Sequence, residues 1–354
     1  MAKKRATLPR DFDQLVEACD LDELKRVFDK CDLNAVAGYT RSTALGFFNI
    51  PEELVRWLVS EGADIEARDT YGLTPLHQQA SMRTGNIDIL IELGANIAAI
   101  DNNGCSPLHR AAANAFSPST VQMLLQKGAN VLAIDRQGAT PLLLALKQTQ
   151  NADIENVATI SQMLLEAGTP VTEEMQKAVA SIGEGFEFYM DKFNKDYLEA
   201  TEAGLAKLYQ LFKVEPVKRR ITHDGISLIQ VTTNNWKDQH NELWELLVPA
   251  SGPAKTIQGE VIRITGRVSH EILNNGGGNW DSNYKKMLSA LTTYVSLGIP
   301  LEDSNMNEIR LLSTEVSKGY YCDEEKLSRL HELAVTWVRA NPNPILLEKP
   351  GYNR

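Results

Sequence analysis

Four side chains able to bind an anion or pass a proton follow one another at helical intervals: Glu260, Arg263, Arg267 and His270. Steps of three and four residues place them on one stripe of a helix, with Asn274 continuing it and Glu271 four residues after Arg267. A carboxylate, two guanidiniums and an imidazole in such a row could clasp an anion or do acid–base work. The same spacing describes a ladder of surface ion pairs, each worth ~0.3–0.5 kcal/mol. That plainer reading is the one the sequence favours.

Other catalytic or ligand-binding patterns fail on inspection. Ser251–Thr256 echoes a phosphate-binding loop, but Pro249 and Ala254 stand where its glycines are needed. His270-Glu271 lacks the second histidine of a zinc-protease helix. The four cysteines, Cys19, Cys31, Cys105 and Cys322, are far apart and make no metal or disulfide framework. Cys322, beside Tyr320 and Tyr321, reads as a buried thiol. No cofactor, metal or catalytic residue is expected, and the chain reads as a non-enzyme.

The elements that would position the stripe are mostly helical. Val261, Ile264, Val268 and Ile272 give the Ile257–Asn274 segment an apolar face. Thr256 caps it, and Asn275-Gly-Gly-Gly-Asn279 ends it. Further helices are expected over Trp236–Val248, from Asp281 or Ser282 through Val295, over Asn305–Lys318 and over Asp323–Ala340. β-branched residues at 226–233 predict one short strand. Upstream, Phe186, Tyr189, Phe193, Tyr197, Leu205, Leu208 and Phe212 predict one aromatic-rich helix.

Apolar residues make up 43% and charged residues 23%, a globular balance with a formal charge of −10. The acidic surface argues against nucleic acid and anionic lipid, and for a basic partner if any is charged. Lys3-Lys4-Arg5 and Lys218-Arg219-Arg220 are short exceptions that read as solvated tail and loop. No apolar run reaches the ~18–20 residues that span a bilayer. No apolar core follows the basic N-terminus, so a cytoplasmic location is expected.

The first half repeats itself. Asp69-Thr-Tyr-Gly72-Leu-Thr74-Pro75-Leu76-His77, Asp101-Asn-Asn-Gly104-Cys-Ser106-Pro107-Leu108-His109 and Asp135-Arg-Gln-Gly138-Ala-Thr140-Pro141-Leu142-Leu143 align, and each leads into two helices. The second helices end in Gly62-Ala63-Asp64, Gly94-Ala95-Asn96, Gly128-Ala129-Asn130 and Gly168-Thr169-Pro170. Asp-x-x-Gly makes a tight turn, Thr or Ser caps, and Pro opens the helix. Residues 11–180 thus resemble the ankyrin-repeat family. A degenerate copy lies at Thr43-Ala44-Leu45-Gly46. Residues 11–37 read as an N-terminal cap with Leu15, Leu24, Val27 and Phe28 inside, and residues 171–182 as a C-terminal cap. A polar insertion covers 147–156. The resemblance makes His77 and His109 structural ties between turns. Residues 243–298 also resemble a module of small bacterial proteins, and no activity comes with that likeness.

The expected fold class is mainly α: a flexible basic tail (1–10), a repeat solenoid (11–182), a connecting helix (183–212) and a mostly helical domain (213–354). The resemblance implies a protein partner held on the concave face by Thr70, Tyr71, Leu73, Met82, Arg83, Asn102, Asn103, Arg110, Asn114, Arg136 and Gln137. By analogy such a binder could be an immunity protein that neutralises a bacterial toxin. The alternative is an effector or enzyme active in residues 213–354 and targeted by the repeats.

Overall fold

The structure, a computed structural model, describes residues 4–115, 117–319 and 323–353. Lys3, Tyr320, Tyr321 and Cys322 lie outside the described residues. The chain divides into two compact units, Met1–Phe186 with Phe193–Val217, and Glu187–Lys192 with Lys218–Arg354. Helices dominate both, in line with the expected class.

The first unit opens on β1 (Arg5–Thr7), where a flexible tail was expected. The strand is held because it pairs in parallel with β2 (Cys31–Ala37), while Leu8 is buried and Lys4 donates to the Phe28 carbonyl at 2.7 Å. Between them α1 (Phe12–Ala18) and α2 (Leu21–Lys30) form the cap. Asp20 starts α2 by accepting from the amides of Asp22 and Glu23. The inner face is Phe12, Val16, Leu24 and Phe28, whereas Leu15 and Val27 are only half-buried. The rings of Phe28 and Phe47 stand edge-on to Phe12 at 6.2 and 5.0 Å.

β3 (Ser42–Thr43) pairs antiparallel with β2 and leads into the degenerate copy. Without Pro or His, Ala44–Gly46 makes a single 3-10 turn. Gln79 anchors it, its Nε2 donating to the Leu45 carbonyl (3.1 Å) and to that of Phe47 just after the turn (2.9 Å). α3 (Glu52–Ser60) completes this copy. The regular pairs follow: α4 (Pro75–Ala80) with α5 (Ile87–Glu92), α6 (Pro107–Asn114) with α7 (Pro118–Gln126), and α8 (Pro141–Gln148) with α9 (Ile154–Glu166). Leu76, Leu108, Ala112, Leu124 and Leu142 are fully buried between the stacked repeats. The 147–156 insertion is ordered by a 3-10 turn at Asn151–Asp153 and by Asn156, which donates to the Ala115 carbonyl.

The aromatic-rich stretch is two helices where one was expected. α10 (Glu173–Tyr189) ends in a 3-10 turn, and α11 (Lys195–Phe212) restarts because the Asn194 side chain caps the Asp196 amide. α11 packs on α9 through Gly204, where a Cβ would sit 2.8 Å from the Glu155 Cα.

In the second unit the segment expected as a strand, residues 226–233, is irregular. Its donors are spent elsewhere, so no ladder forms. The Glu242 carboxylate accepts from the amides and hydroxyls of Thr232 and Thr233, and the Ile229 amide donates to the Pro342 carbonyl. Then come α12 (Trp236–Leu247), α13 (Ile257–Leu273), α14 (Ser282–Tyr294), α15 (Asp303–Val316) and α16 (Glu324–Ala340). α13 is central, with α12, α14 and α16 packed around it. Val261, Ile264 and Val268 are fully buried, as their spacing predicts. Gln258 on the polar side is buried too. It donates to the carbonyls of Asn341 and Asn343 and accepts from the Ile345 amide, pinning the tail along the start of α13.

Candidate functional site

Two regions could do work: the turn tips of the repeats in the first unit, and a cavity beside α13 in the second.

The turn tips are built by aspartate. One oxygen of Asp69 accepts from the amides of Tyr71 and Leu73, Asp101 does the same for Asn103 and Cys105, and Asp135 for Gln137 and Ala139. Successive tips are joined by backbone bonds, Asn102 N to Tyr71 O (3.0 Å) and Arg136 N to Asn103 O (2.9 Å). These bonds require glycine at Gly72 and Gly104. Both have positive φ, and a Cβ would come within 2.9 and 3.0 Å of the next turn's amide nitrogen.

The histidines tie the turns from inside. His77 Nδ1 accepts from the Thr74 amide, so its Nε2 carries the proton and donates to the Cys105 carbonyl at 2.9 Å. His109 repeats this with the Ser106 amide and the Ala139 carbonyl, 3.0 Å away. Burial holds both imidazoles below the usual histidine value, hence neutral. Their predicted structural role is what the geometry gives them.

None of the eleven nominated partner-binding residues is buried. Thr70, Tyr71, Leu73, Asn102, Asn103, Arg136 and Gln137 lie on the tips, Met82 and Arg83 follow α4, and Arg110 and Asn114 lie on α6. Arg110 is not free, however. Its guanidinium closes on the buried second oxygen of Asp101, Nε at 2.9 Å. Burial pushes Asp101 up, but Arg110 and the Cys105 and Asn103 amides outweigh it and hold the carboxyl below its usual range. Nine residues after Asp69, Gln78 does the same job, with Nε2 3.1 Å from the second oxygen. Nine residues after Asp135 the chain has Leu144. The second oxygen of Asp135 therefore takes no hydrogen bond among the described residues, and Asp135 lines a cavity of about 230 Å3 with Asn103, Arg110, Asn114, Leu144 and Gln148.

Sequence reasoning also missed Ile100, Leu132 and Ile134, exposed by 54%, 54% and 63% at the turns. The signal was an isoleucine directly before the turn aspartate in two repeats, where the first has Arg68.

The polar stripe on α13 is not one site. Glu260 and Arg263, expected on a solvated face, are buried because other helices and the tail enclose that side. They form a bidentate pair at 2.8 and 2.6 Å, and Glu260 also accepts from the Tyr352 hydroxyl (2.7 Å) and the Ala254 amide (2.9 Å). Burial alone would lower Arg263, but Glu260 outweighs it and keeps the guanidinium charged. Glu271 is an anchor for the glycine loop, accepting from the Asn279 amide at 2.6 Å and from Asn275. Arg220, from the second basic run, is likewise committed. It donates to the carbonyls of Glu245, Trp244 and Val248 at the end of α12 and lies 4.2 Å over the Phe188 ring.

Arg267 and His270 instead line a cavity of about 740 Å3. Phe188 and Trp244 form one wall, nearly parallel at 10° with centroids 6.4 Å apart. His240 and His331 meet there at 4.3 Å. His240 Nε2 lies 3.3 Å from the Thr265 hydroxyl and His331 Nε2 3.1 Å from that of Ser269. Burial, then His331, pushes His240 down to about 3, and burial lowers His331 as well. Both rings are therefore neutral. Trp236, Lys237, Tyr189 and Tyr284 complete much of the lining. Among the described residues no group of three or more His, Cys, Asp or Glu could hold a metal, and no helix is long and apolar enough to cross a membrane.

Among known families, the model for ankyrin repeats (3 copies) matches residues 43–135. No curated protein matches the chain. The matched span holds the degenerate copy and the turn motifs of Asp69 and Asp101 and ends on Asp135, so this part of the chain is an ankyrin-repeat array. Ankyrin repeats support a role in protein–protein interaction.

Proposed function

We propose that the turn tips and first helices of the array hold a protein partner, with a basic side chain of that partner seated on Asp135. The observation that carries this is the broken pattern at Leu144. Two repeats satisfy the second oxygen of their turn aspartate from within, by Gln78 and Arg110, and the third leaves it to an outside group. A lysine or arginine from a partner would restore the missing bond, which as a charge-assisted contact contributes ~1.5–3 kcal/mol. Exposed Tyr71 and the unused faces of Asn103 and Gln137 supply contact area around it. The formal charge of −10 favours a basic partner, as would suit neutralisation of a cationic toxin or nuclease-like effector.

The experiment is site-directed photo-crosslinking from position 103 in the whole chain, followed by affinity measurement with the partner so identified. Leu144→Arg, which copies Arg110 into the third repeat, should weaken that partner about ten-fold or more while leaving the melting temperature unchanged or raised. Unchanged affinity in a normally folded variant would sink the proposal.

A further inference from the structure

We infer that the cavity beside α13 binds a small planar organic anion, its charged group on Arg267 and its ring on the Phe188–Trp244 wall. Arg267 is half-buried and has neither a hydrogen bond nor an ion pair among the described residues. Arg110, Arg220 and Arg263, by contrast, are spent on carboxylates or on backbone carbonyls. A guanidinium loses hydration on partial burial and regains it by pairing, so an unpaired one in a concavity suits an anion.

The surroundings point the same way. In a chain of net charge −10, none of the described residues lining this cavity is acidic, and Lys237 adds a second cation at its edge. His240 and His331 are neutral and add no charge, while the third lining histidine, His270, lies at an exposed position. The volume, about 740 Å3, lies within the range of small-molecule sites. The wall is held in place from behind. Arg220 stacks on Phe188 and caps α12, the helix that carries Trp244, and Gly266 leaves room for the indole against α13. A rigid aromatic surface of this kind selects flat ligands.

The test uses the whole chain and two matched probes, 2-naphthoate and the neutral 2-naphthamide, measured by isothermal titration calorimetry. The unaltered protein should bind the acid about ten-fold or more tighter than the amide. Arg267→Gln should abolish that preference by weakening the acid alone, with an unchanged melt because the guanidinium has no hydrogen-bond or ion-pair partner to lose among the described residues. Equal affinities for the two probes in the unaltered protein would overturn the inference, and so would failure of both to bind at about 1 mM. A preference that survives Arg267→Gln would overturn the assignment to Arg267. The comparison of probes in the unaltered chain stands whether or not the variant folds.

Discussion

The Cα of Gly266 lies directly against the indole of Trp244: a Cβ there would sit 2.3 Å from ring atom Cζ3. The bare backbone of α13 is therefore what sets the tilt of the cavity wall. Gly266→Ala should force the indole away, costing ~1–3 kcal/mol through overpacking. Tryptophan emission and the melting temperature should both shift. An alanine variant with the emission and melt of the parent would show that the wall yields without consequence.

Arg110 and Tyr71 should part company. Arg110→Ala leaves the Asp101 oxygen without its guanidinium and should cost ~1–3 kcal/mol, although the position reads from sequence as a surface contact. Tyr71 is half-exposed, and Tyr71→Ala should stay within ~0.5 kcal/mol. Urea unfolding of the two single variants separates them, and equal costs would contradict the role given to Arg110.

The buried pair on α13 makes a sharper claim. Arg263→Met strands Glu260 without its counter-ion and should cost ~3–5 kcal/mol. Replacing Glu260 by Leu in the same chain should recover much of that loss. If the double variant is no more stable than the single one, the pair is not the unit described.

A fragment ending at residue 217 should melt cooperatively, while one ending at residue 182 should melt lower and more broadly. The shorter piece lacks α11, whose Leu205, Leu208 and Phe212 are buried in the first unit. Circular dichroism distinguishes the two. Identical melts would mean that α11 adds nothing to the core.

Stability should fall as the solution is acidified below neutrality. His77, His109, His240 and His331 are all held below the usual value of 6.5, chiefly by burial. The unfolded chain therefore takes up these protons first. The contribution is fully present above pH 6.5 and is lost as pH falls from there toward each lowered folded value. Each such histidine contributes up to ~1.4 kcal/mol per pH unit. Urea midpoints that do not fall between pH 7 and pH 5 would contradict this; carboxylates respond mainly at lower pH.

The repeats were legible because each position answers to a local rule: Asp and Gly make the turn, Thr or Ser and Pro start the helix, and a 32- or 34-residue spacing repeats it. The helices of the second unit were legible for the same reason, with Thr256, Asp281 and Asp323 capping where their types predict. What escaped was set by distant partners. Periodicity places Glu260, Arg263, Arg267 and His270 on one stripe, but only the packing of a central helix decides that two of them are buried and two face a cavity. Likewise a β-branched run predicts a strand, and Glu242 takes the amides a ladder would have used.

The hydrogen bonds between repeats have a grain. The imidazoles of His77 and His109 reach forward to a carbonyl of the following turn, in full burial. The tip amides of Asn102 and Arg136 reach backward to the preceding turn, at exposed positions where water can replace the carbonyl. Wear that starts at the far end, by pulling or by a protease, strands a buried donor in the repeat before it. Within the three regular repeats, wear that starts at the near end strands tip amides that solvent can satisfy; only loss of the degenerate copy before them strands a buried donor, the Gln79 side chain. The regular repeats therefore peel unequally, and damage entering from the side of α8 travels upstream at a greater energetic loss per step than damage moving downstream from α4.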